Sequence, residues 1–306
     1  MDPTLLKLIA LTALPTGFAS LALFLGLWWK SPDLRTSTPQ VLPALSTLSR
    51  LLPLLLVTAC GIALFPVIHE TGFPSFPPAR AAGAIPYAAL AALLAGLTWI
   101  IPSAPIALRW AAALLATAAA AYLSLHNQLA TDGGFTKWGS TLIAYSFLAP
   151  AGVVGTILLA RRTGLATALA LTVIAFAASQ VFMLGYHSIR HAILAAVLCA
   201  VTVGLAVTAI RRPHASLGPA AGLALAVMLA TLTLQSAAFG QSNQPWKLAF
   251  AALLAASPWA ALAATRLPLR REPARALAVI VGAAVPALTA VAIAATLYFG
   301  GTESGE

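Results

Sequence analysis

The chain has 306 residues, of which 60% are hydrophobic and 8% are charged, and it carries a formal net charge of +10. A water-soluble domain of this length cannot cover its surface with so few polar side chains, so the composition excludes the soluble globular classes. It predicts an integral membrane protein. The few polar groups inside the bilayer then become the functional candidates, because each one is costly to keep there.

Apolar segments recur along the whole chain, each close to the length that crosses the hydrocarbon core as a helix, about 20 residues. With proline, glycine and charge as boundaries, they predict an all-α, polytopic helical bundle that forms one transmembrane domain over 1–306. The ten predicted helices cover residues 5–29, 51–69, 84–101, 107–125, 139–160, 164–185, 192–210, 218–239, 248–265 and 276–299. Internal prolines should kink these helices without ending them, and residues 31–50 should form a plain connector.

The first segment also has features of a signal peptide, with an apolar stretch from Leu5 followed by small residues up to Ser20. A signal peptide usually has a cluster of positive charge before that stretch. No such cluster is present here, and the apolar sequence continues to Trp29. We therefore expect the segment to be the first membrane-spanning helix.

The distribution of Lys and Arg predicts the orientation. Twelve of the 17 basic residues lie in the loops that follow odd-numbered helices. Cytoplasmic loops are enriched in Lys and Arg, so these loops should be cytoplasmic in a bacterial inner membrane. Both termini, including the short acidic tail 300–306, should then be periplasmic. The net positive charge is explained by topology and anionic lipids, and no nucleic-acid partner is expected.

Several kinds of chemistry are excluded by what the sequence lacks. Cys60 and Cys199 lie in different predicted helices without a Cys-x-x-Cys motif, so a thiolate iron–sulfur or zinc site is not expected. Phosphate loops, Gly-x-Ser-x-Gly elbows and His-Glu-x-x-His helices are also absent. No Asp or Glu lies inside a predicted helix, which disfavours ion-coupled transport through buried carboxylates.

Histidine is the remaining titratable group, and four of the five histidines lie at the predicted outer ends of helices. His69 ends the second helix and precedes Glu70, which would orient the imidazole or accept its proton. His126, Gln180 and Gln235 lie at the same level on the fourth, sixth and eighth helices. These side chains would converge on one outer-leaflet pocket. Solvation of helix ends is the alternative explanation, and we expect His187 and His191 to lie in an ordinary surface turn.

A pocket of this kind suits a quinol. Oxidation of a quinol releases two electrons and two protons, so the site needs an apolar slot, hydrogen-bonding groups and a base that titrates near neutrality. Imidazole is such a base. His69 and His126 would alternatively ligate haem, as in a membrane cytochrome b.

Four sequence features, taken in order, resemble a known family. They are TGFASLALF at 16–24, His69 followed by the loop GFPSFPPAR at 72–80, YLSLHN at 122–127 and TLIAYSFLAPAG at 141–152. This order resembles the membrane anchor subunit of dimethyl-sulfoxide-reductase-type molybdoenzymes, within the broader superfamily of quinone-handling anchors. The resemblance covers residues 10–165, about half of the chain.

The resemblance implies a helical anchor with outer termini and no prosthetic group of its own. Such an anchor serves anaerobic respiration by oxidising menaquinol near the outer face. It passes the electrons to an iron–sulfur subunit, which supplies a molybdopterin catalytic subunit. The quinol-site histidine of the family would be His69, and the basic residue of the following loop would be Arg80. The family usually has eight helices, so eight is the alternative to ten.

The sequence therefore predicts a quinol-oxidising subunit of an oxidoreductase complex, with quinone as substrate and no covalent cofactor or metal. His69 would accept a quinol proton, Glu70 or Arg80 would tune it, and His126, Gln180 and Gln235 would make secondary contacts. A ten-span transporter built from an anchor-like half, 5–160, and a second half, 164–299, is an alternative, although the halves share no visible repeat. A membrane cytochrome b or an assembly scaffold is a further alternative.

Overall fold

The structure, a computed structural model, describes residues 3–29, 42–69, 73–78, 80–131, 134–211, 215–239, 246–268 and 272–300. Within these ranges the chain forms ten α-helices and one 3₁₀ turn, Ala81–Gly83, and no β-strand. The helices are α1 Pro3–Trp29, α2 Leu42–His69, α3 Ala84–Ile100, α4 Ile106–Thr131, α5 Gly134–Ala160, α6 Leu165–Leu184, α7 Ile189–Arg211, α8 Gly218–Phe239, α9 Trp246–Ala264 and α10 Glu272–Gly300. The prediction of an all-helical bundle is confirmed.

Each predicted segment corresponds to one helix, and residues 101–105 do separate α3 from α4. The connector predicted over 31–50 is wrong in its second half, because α2 already begins at Leu42. Proline is tolerated in the first turn of a helix, which suits Pro43. No glycine then lies between Pro43 and Gly61 to weaken the helix.

Proline inside the helices does not end them, as the sequence predicted. Pro15, Pro150, Pro258 and Pro286 lie within α1, α5, α9 and α10. A proline removes one backbone hydrogen bond, but in a helical bundle neighbouring groups can satisfy the freed carbonyl.

Eight helices, α3 to α10, contain stretches that are long and apolar enough to cross a membrane. In α1 and α2 the described apolar stretches, Thr12–Leu27 and Arg50–Ala63, are shorter. The chain is therefore a multi-pass membrane protein.

Helix α8 is the centre of the bundle. Of its membrane-spanning stretch 83% is buried, against 22% for α4 and for α10. It packs on α2, α3, α4 and α5, while α6, α7, α9 and α10 pair among themselves and α1 packs on α7. A helix from the second half of the sequence thus lies among the helices of the first half.

Small residues allow close packing of helices in membrane proteins. At Gly282 of α10, a Cβ atom would lie 2.7 Å from the backbone oxygen of Ala260 in α9. At Gly204 of α7, it would lie 2.9 Å from the backbone nitrogen of Leu21 in α1. Neither backbone can move aside without shifting a helix, so both positions require glycine.

The packing of α2 against α3 shows which residue of the α3 region lies beside the end of α2. A Cβ at Gly96 would lie 2.6 Å from Leu54, and a Cβ at Gly61 would lie 2.8 Å from the Cβ of Ala89. The step from Leu54 to Gly61 on α2 thus matches the step from Gly96 back to Ala89 on α3, and each step is seven residues. Continuing this antiparallel register places the backbone of His69 level with Ala81. We call this end of the bundle the His69 end and the opposite end the Arg109 end.

Candidate functional site

Contacts between distant parts of the chain show which helix ends lie together. At the His69 end, the hydroxyl of Tyr186, after α6, donates to the backbone oxygen of Lys247 in α9 at 2.7 Å. The ring of His187 lies 5.3 Å from that of Tyr298 in α10. The even-numbered helices therefore finish at one end of the bundle, where the polar residues identified in the sequence lie.

Gln235 is the central polar residue at this end. Its side chain is fully buried in α8, and its Nε2 donates to the backbone oxygen of Ala81 at 2.8 Å and to Oγ of Ser124 at 3.2 Å. Ser124, on α4, donates its own proton to the oxygen of Ala120. We call Ala81, Ser124 and Gln235 the Gln235 cluster. It joins α8 to α4 and to the turn that precedes α3.

One atom of the Gln235 cluster has no partner. Oε1 of Gln235 is buried and makes no hydrogen bond with any described residue. The orientation of the amide follows from its neighbour, because the carbonyl of Ala81 can only accept and must face the NH₂ group. A buried acceptor without a donor is unfavourable, by about 1–3 kcal/mol. A donor brought beside this atom would remove that penalty.

The sequence-predicted residues around His69 are only partly described. The backbone of His69 ends α2 at the level of Ala81, and its side chain and Glu70 lie outside the described residues. Arg80 is exposed and directly precedes the 3₁₀ turn, so its backbone adjoins the Gln235 cluster. The structure thus brings the end of α2, Arg80 and Gln235 to one level.

His126 and Gln180 lie at the same end but apart from the Gln235 cluster. His126 is half-buried, its Nδ1 lies 3.0 Å from the oxygen of Leu123, and its ring is 6.0 Å from that of the exposed Tyr122. It follows Ser124 by two positions in the helix, which turns the two side chains to different faces. Gln180 is half-buried on α6, and no hydrogen bond between described residues joins it to Gln235.

His191 is the functional candidate that the sequence analysis missed. The expected surface turn is wrong for this residue, which is 8% exposed and lies in the first turn of α7. Its Nδ1 lies 2.8 Å from Oγ of Ser188 and 2.8 Å from Oγ of Ser236 on α8. The sequence signal was the spacing of Ser188 and His191, which is typical of a capped helix start. Gln235 and Ser236 are adjacent on α8 but bind different neighbours. Gln235 contacts α4 and the turn before α3, and Ser236 contacts α7.

Tyr186 lies in the turn between α6 and α7 and packs into the bundle. It is 1% exposed, and its ring lies edge-on to Phe250 at 5.5 Å. Burial raises the pKa of the Tyr186 phenol well above its ordinary value. The group therefore stays neutral and acts as a hydrogen-bond donor, which holds the start of α9 against this turn.

A separate cleft lies at mid-helix level between α5, α6, α8 and α9, with a volume of about 60 Å³. Its polar side chains bond within the protein. Tyr145 donates to the oxygen of Thr233 at 3.0 Å, and the hydroxyls of Thr156 and Thr233 donate within their own helices. The interior of the α5–α9 cleft is therefore apolar in character. It lies on the opposite side of α8 from the Gln235 cluster.

Metal binding finds no support in the described residues, which contain no group of three or more His, Cys, Asp or Glu side chains placed to hold an ion. The described residues at the His69 end instead include an amide acceptor, Oε1 of Gln235, and an exposed guanidinium, that of Arg80. These groups suit hydrogen bonding.

No protein-family model, curated protein or solved structure matches this chain.

Proposed function

We propose that this protein is the membrane anchor of an oxidoreductase complex and oxidises a quinol at the His69 end. Menaquinol would donate its electrons to an iron–sulfur subunit on the outer face, and that subunit would supply a molybdopterin catalytic subunit. The two hydroxyl protons of the quinol would leave to the same side. The protein would lie in a bacterial inner membrane with both termini in the periplasm.

The buried Oε1 of Gln235 is the observation that carries this proposal. A quinol hydroxyl is a neutral donor, and it can satisfy this acceptor without bringing charge into the bundle. In an environment of low dielectric constant, such a hydrogen bond is stronger than it would be in water. The acceptor lies level with the end of α2, where His69 provides a base that titrates near neutrality.

The residues have distinct roles in the proposed reaction. His69 accepts a proton from one quinol hydroxyl, and Gln235 orients the ring by accepting a hydrogen bond from the other hydroxyl. Arg80 and Glu70 tune the imidazole. His126 lies on a different face of α4 from Ser124 and would contact only the far parts of the quinol, as would Gln180 on α6.

The proposal is tested by quinol-analogue binding to the purified chain in nanodiscs. We expect a fluorescent hydroxyquinoline N-oxide to bind the wild-type protein and His214→Ala, and not His69→Ala. Gln235→Leu should weaken binding about five- to tenfold, the amount expected from one hydrogen bond. A wild-type protein that does not bind the analogue would contradict the proposal.

Partners are tested by purifying the tagged chain from native membranes. Iron–sulfur absorption together with molybdenum in the purified complex would support the anchor role, and their absence from an intact preparation would contradict it. The orientation is tested with Ser304→Cys in a Cys199→Ser background, because Cys60 is buried and Cys199 is half-buried. A membrane-impermeant maleimide should label this variant from the periplasmic side.

A small-molecule transporter is the second candidate, and the mid-helix α5–α9 cleft is the observation that favours it. The helix pairing does not favour it. Helices α6 and α7 pair extensively while α1 and α2 touch only weakly, although a five-plus-five repeat would make these pairs equivalent. Solute flux through the chain alone in liposomes would establish the transporter.

A further inference from the structure

At the Arg109 end, two arginines lie against one buried tryptophan. Cζ of Arg161 is 4.7 Å from the centre of the Trp99 ring, and Cζ of Arg109 is 6.0 Å from it. Trp110 packs at right angles to Trp99, with ring centres 5.1 Å apart. We call these four residues the Trp99 cluster. Cations are attracted to the face of an indole, which holds both guanidinium groups at this place.

Contacts within the protein explain part of the position of the Arg109 side chain. Its Nη2 donates to the backbone oxygens of Ile101 and Pro102, both at 3.0 Å. These carbonyls follow the end of α3, where a cation is favourable. The contacts leave Nε and Nη1 of Arg109 unused, and they do not involve Arg161.

Two buried donors of the cluster have no acceptor. Trp99 is 2% exposed, and neither its Nε1 nor the Nε of Arg109 makes a hydrogen bond with any described residue. An unpaired N–H group inside a membrane protein is costly, because the hydrocarbon supplies no acceptor. The cluster therefore has surplus donors, and an acceptor would stabilise it.

The cluster also has surplus positive charge. Glu272 is the single acid among the residues that the structure describes, and it pairs with Arg275 at 3.4 Å. Partial desolvation lowers the pKa of the Arg161 guanidinium, and the charge of Arg109 lowers it further. Both effects disfavour the charged form of Arg161, and a nearby anion would reverse them.

The surroundings of the cluster indicate which anion is available. Ile101, Ile106 and Leu108, at the turn between α3 and α4, are each at least half exposed. Apolar side chains exposed at the end of membrane-spanning helices face acyl chains. The anionic acceptor present at this depth is the phosphate of a lipid headgroup.

We propose that the Trp99 cluster binds the phosphate of an anionic phospholipid, with the acyl chains against the exposed apolar side chains of the α3–α4 turn. The phosphate accepts hydrogen bonds from the guanidinium groups of Arg109 and Arg161. This site is separate from the quinol site and does not depend on it.

Native mass spectrometry of the protein released from nanodiscs tests the proposal. With equal amounts of phosphatidylglycerol and phosphatidylcholine present, we expect the wild-type protein to retain phosphatidylglycerol selectively. Arg161→Gln should reduce this retention about fivefold, the effect of one basic residue near an anionic membrane. Arg211→Gln removes an exposed arginine from the same end of the bundle and should leave the retention unchanged.

Three outcomes would overturn the proposal. The wild-type protein could retain both lipids equally, or Arg211→Gln could lose as much retention as Arg161→Gln. Alternatively, inorganic phosphate at millimolar concentration could displace the lipid completely, which would assign the site to free phosphate.

A second measurement does not depend on variants. Phenylglyoxal modifies exposed guanidinium groups, and Arg161 is exposed. We expect phosphatidylglycerol nanodiscs to slow the modification of Arg161 at least fivefold relative to phosphatidylcholine nanodiscs, with Arg211 changing less. Equal rates for Arg161 in both lipids would contradict the site.

Discussion

The two ends of the bundle differ in the kind of buried polar atom that lacks a hydrogen-bond partner. At the His69 end, the unpaired buried atom is an acceptor, Oε1 of Gln235. At the Arg109 end, the unpaired buried atoms are donors, Nε1 of Trp99 and Nε of Arg109. These are the three buried side-chain atoms without a partner among the described residues.

This difference predicts different ligands for the two ends. A leftover neutral acceptor suits a neutral donor such as a quinol hydroxyl. Leftover donors beside two guanidinium groups suit an anion such as a phosphate. A membrane protein can satisfy most polar groups internally, so the few that remain unpaired indicate where and what it binds.

The largest expected effect comes from breaking the register that aligns α2 with α3 and α8. In Gly61→Leu, a Cβ atom would lie 2.6 Å from Cε of Met228 and 2.8 Å from the Cβ of Ala89. We expect the protein to lose about 2–3 kcal/mol of stability, because overpacking forces the helices apart. Thermal unfolding in detergent, followed by tryptophan fluorescence, measures the loss.

The control for this prediction is Gly26→Leu in α1. A Cβ at Gly26 would meet no atom within 4 Å, so the larger side chain extends into open space. Equal destabilisation by both variants would show that the α2–α3 register does not matter. Loss of quinol-analogue binding only in Gly61→Leu would link the register to the His69 end.

A smaller effect is expected from Gln235. Gln235→Leu leaves the half-buried carbonyl of Ala81 without its donor but also removes the unpaired Oε1, so the net loss of stability should be about 1 kcal/mol. Gln180→Leu changes a half-buried glutamine that has no hydrogen bond to Gln235 and should cost less than about 0.5 kcal/mol. The same unfolding measurement compares the two variants, and equal losses would contradict the role of the Gln235 cluster.

The sequence predicted the order of the helices and the end of the bundle at which residues lie well, and their direction around each helix poorly. Position along a helix follows from counting residues between charges and prolines, so the shared end of Gln180 and Gln235 was predictable. Direction depends on which helix lies beside which. Ser124 and His126 share a level, yet only Ser124 contacts Gln235, which is 111 residues away in sequence.

The central position of α8 was also unpredictable, for a physical reason. Side chains that face lipid are as apolar as those that face protein, so composition does not separate a buried helix from an exposed one. His191 was misassigned for a related reason. A histidine near a helix start suggests solvent, and only the packing of α7 on Ser236 reveals its burial.

At the Arg109 end, a charge-conserving change separates the structural role of Arg109 from its charge. Arg109→Lys keeps the cation but loses the planar fork that reaches the carbonyls of Ile101 and Pro102 together. We expect a loss of about 1 kcal/mol in stability with retention of phosphatidylglycerol reduced less than in Arg161→Gln. Arg211→Lys is the matched control, and an unchanged melting temperature in Arg109→Lys would contradict the capping role.

The smallest expected effect tests the hydrogen bond between α7 and α8 beside the Gln235 cluster. Ser236→Ala removes one partner of His191, but Ser188 still binds Nδ1, so the imidazole is not left unpaired. We expect a loss of about 0.6 kcal/mol, typical of hydrogen bonds between membrane helices. Ser257→Ala is the control, because its buried hydroxyl donates to the backbone oxygen of Leu253 in its own helix. If both variants unfold at the same temperature, the contact between α7 and α8 adds nothing to stability.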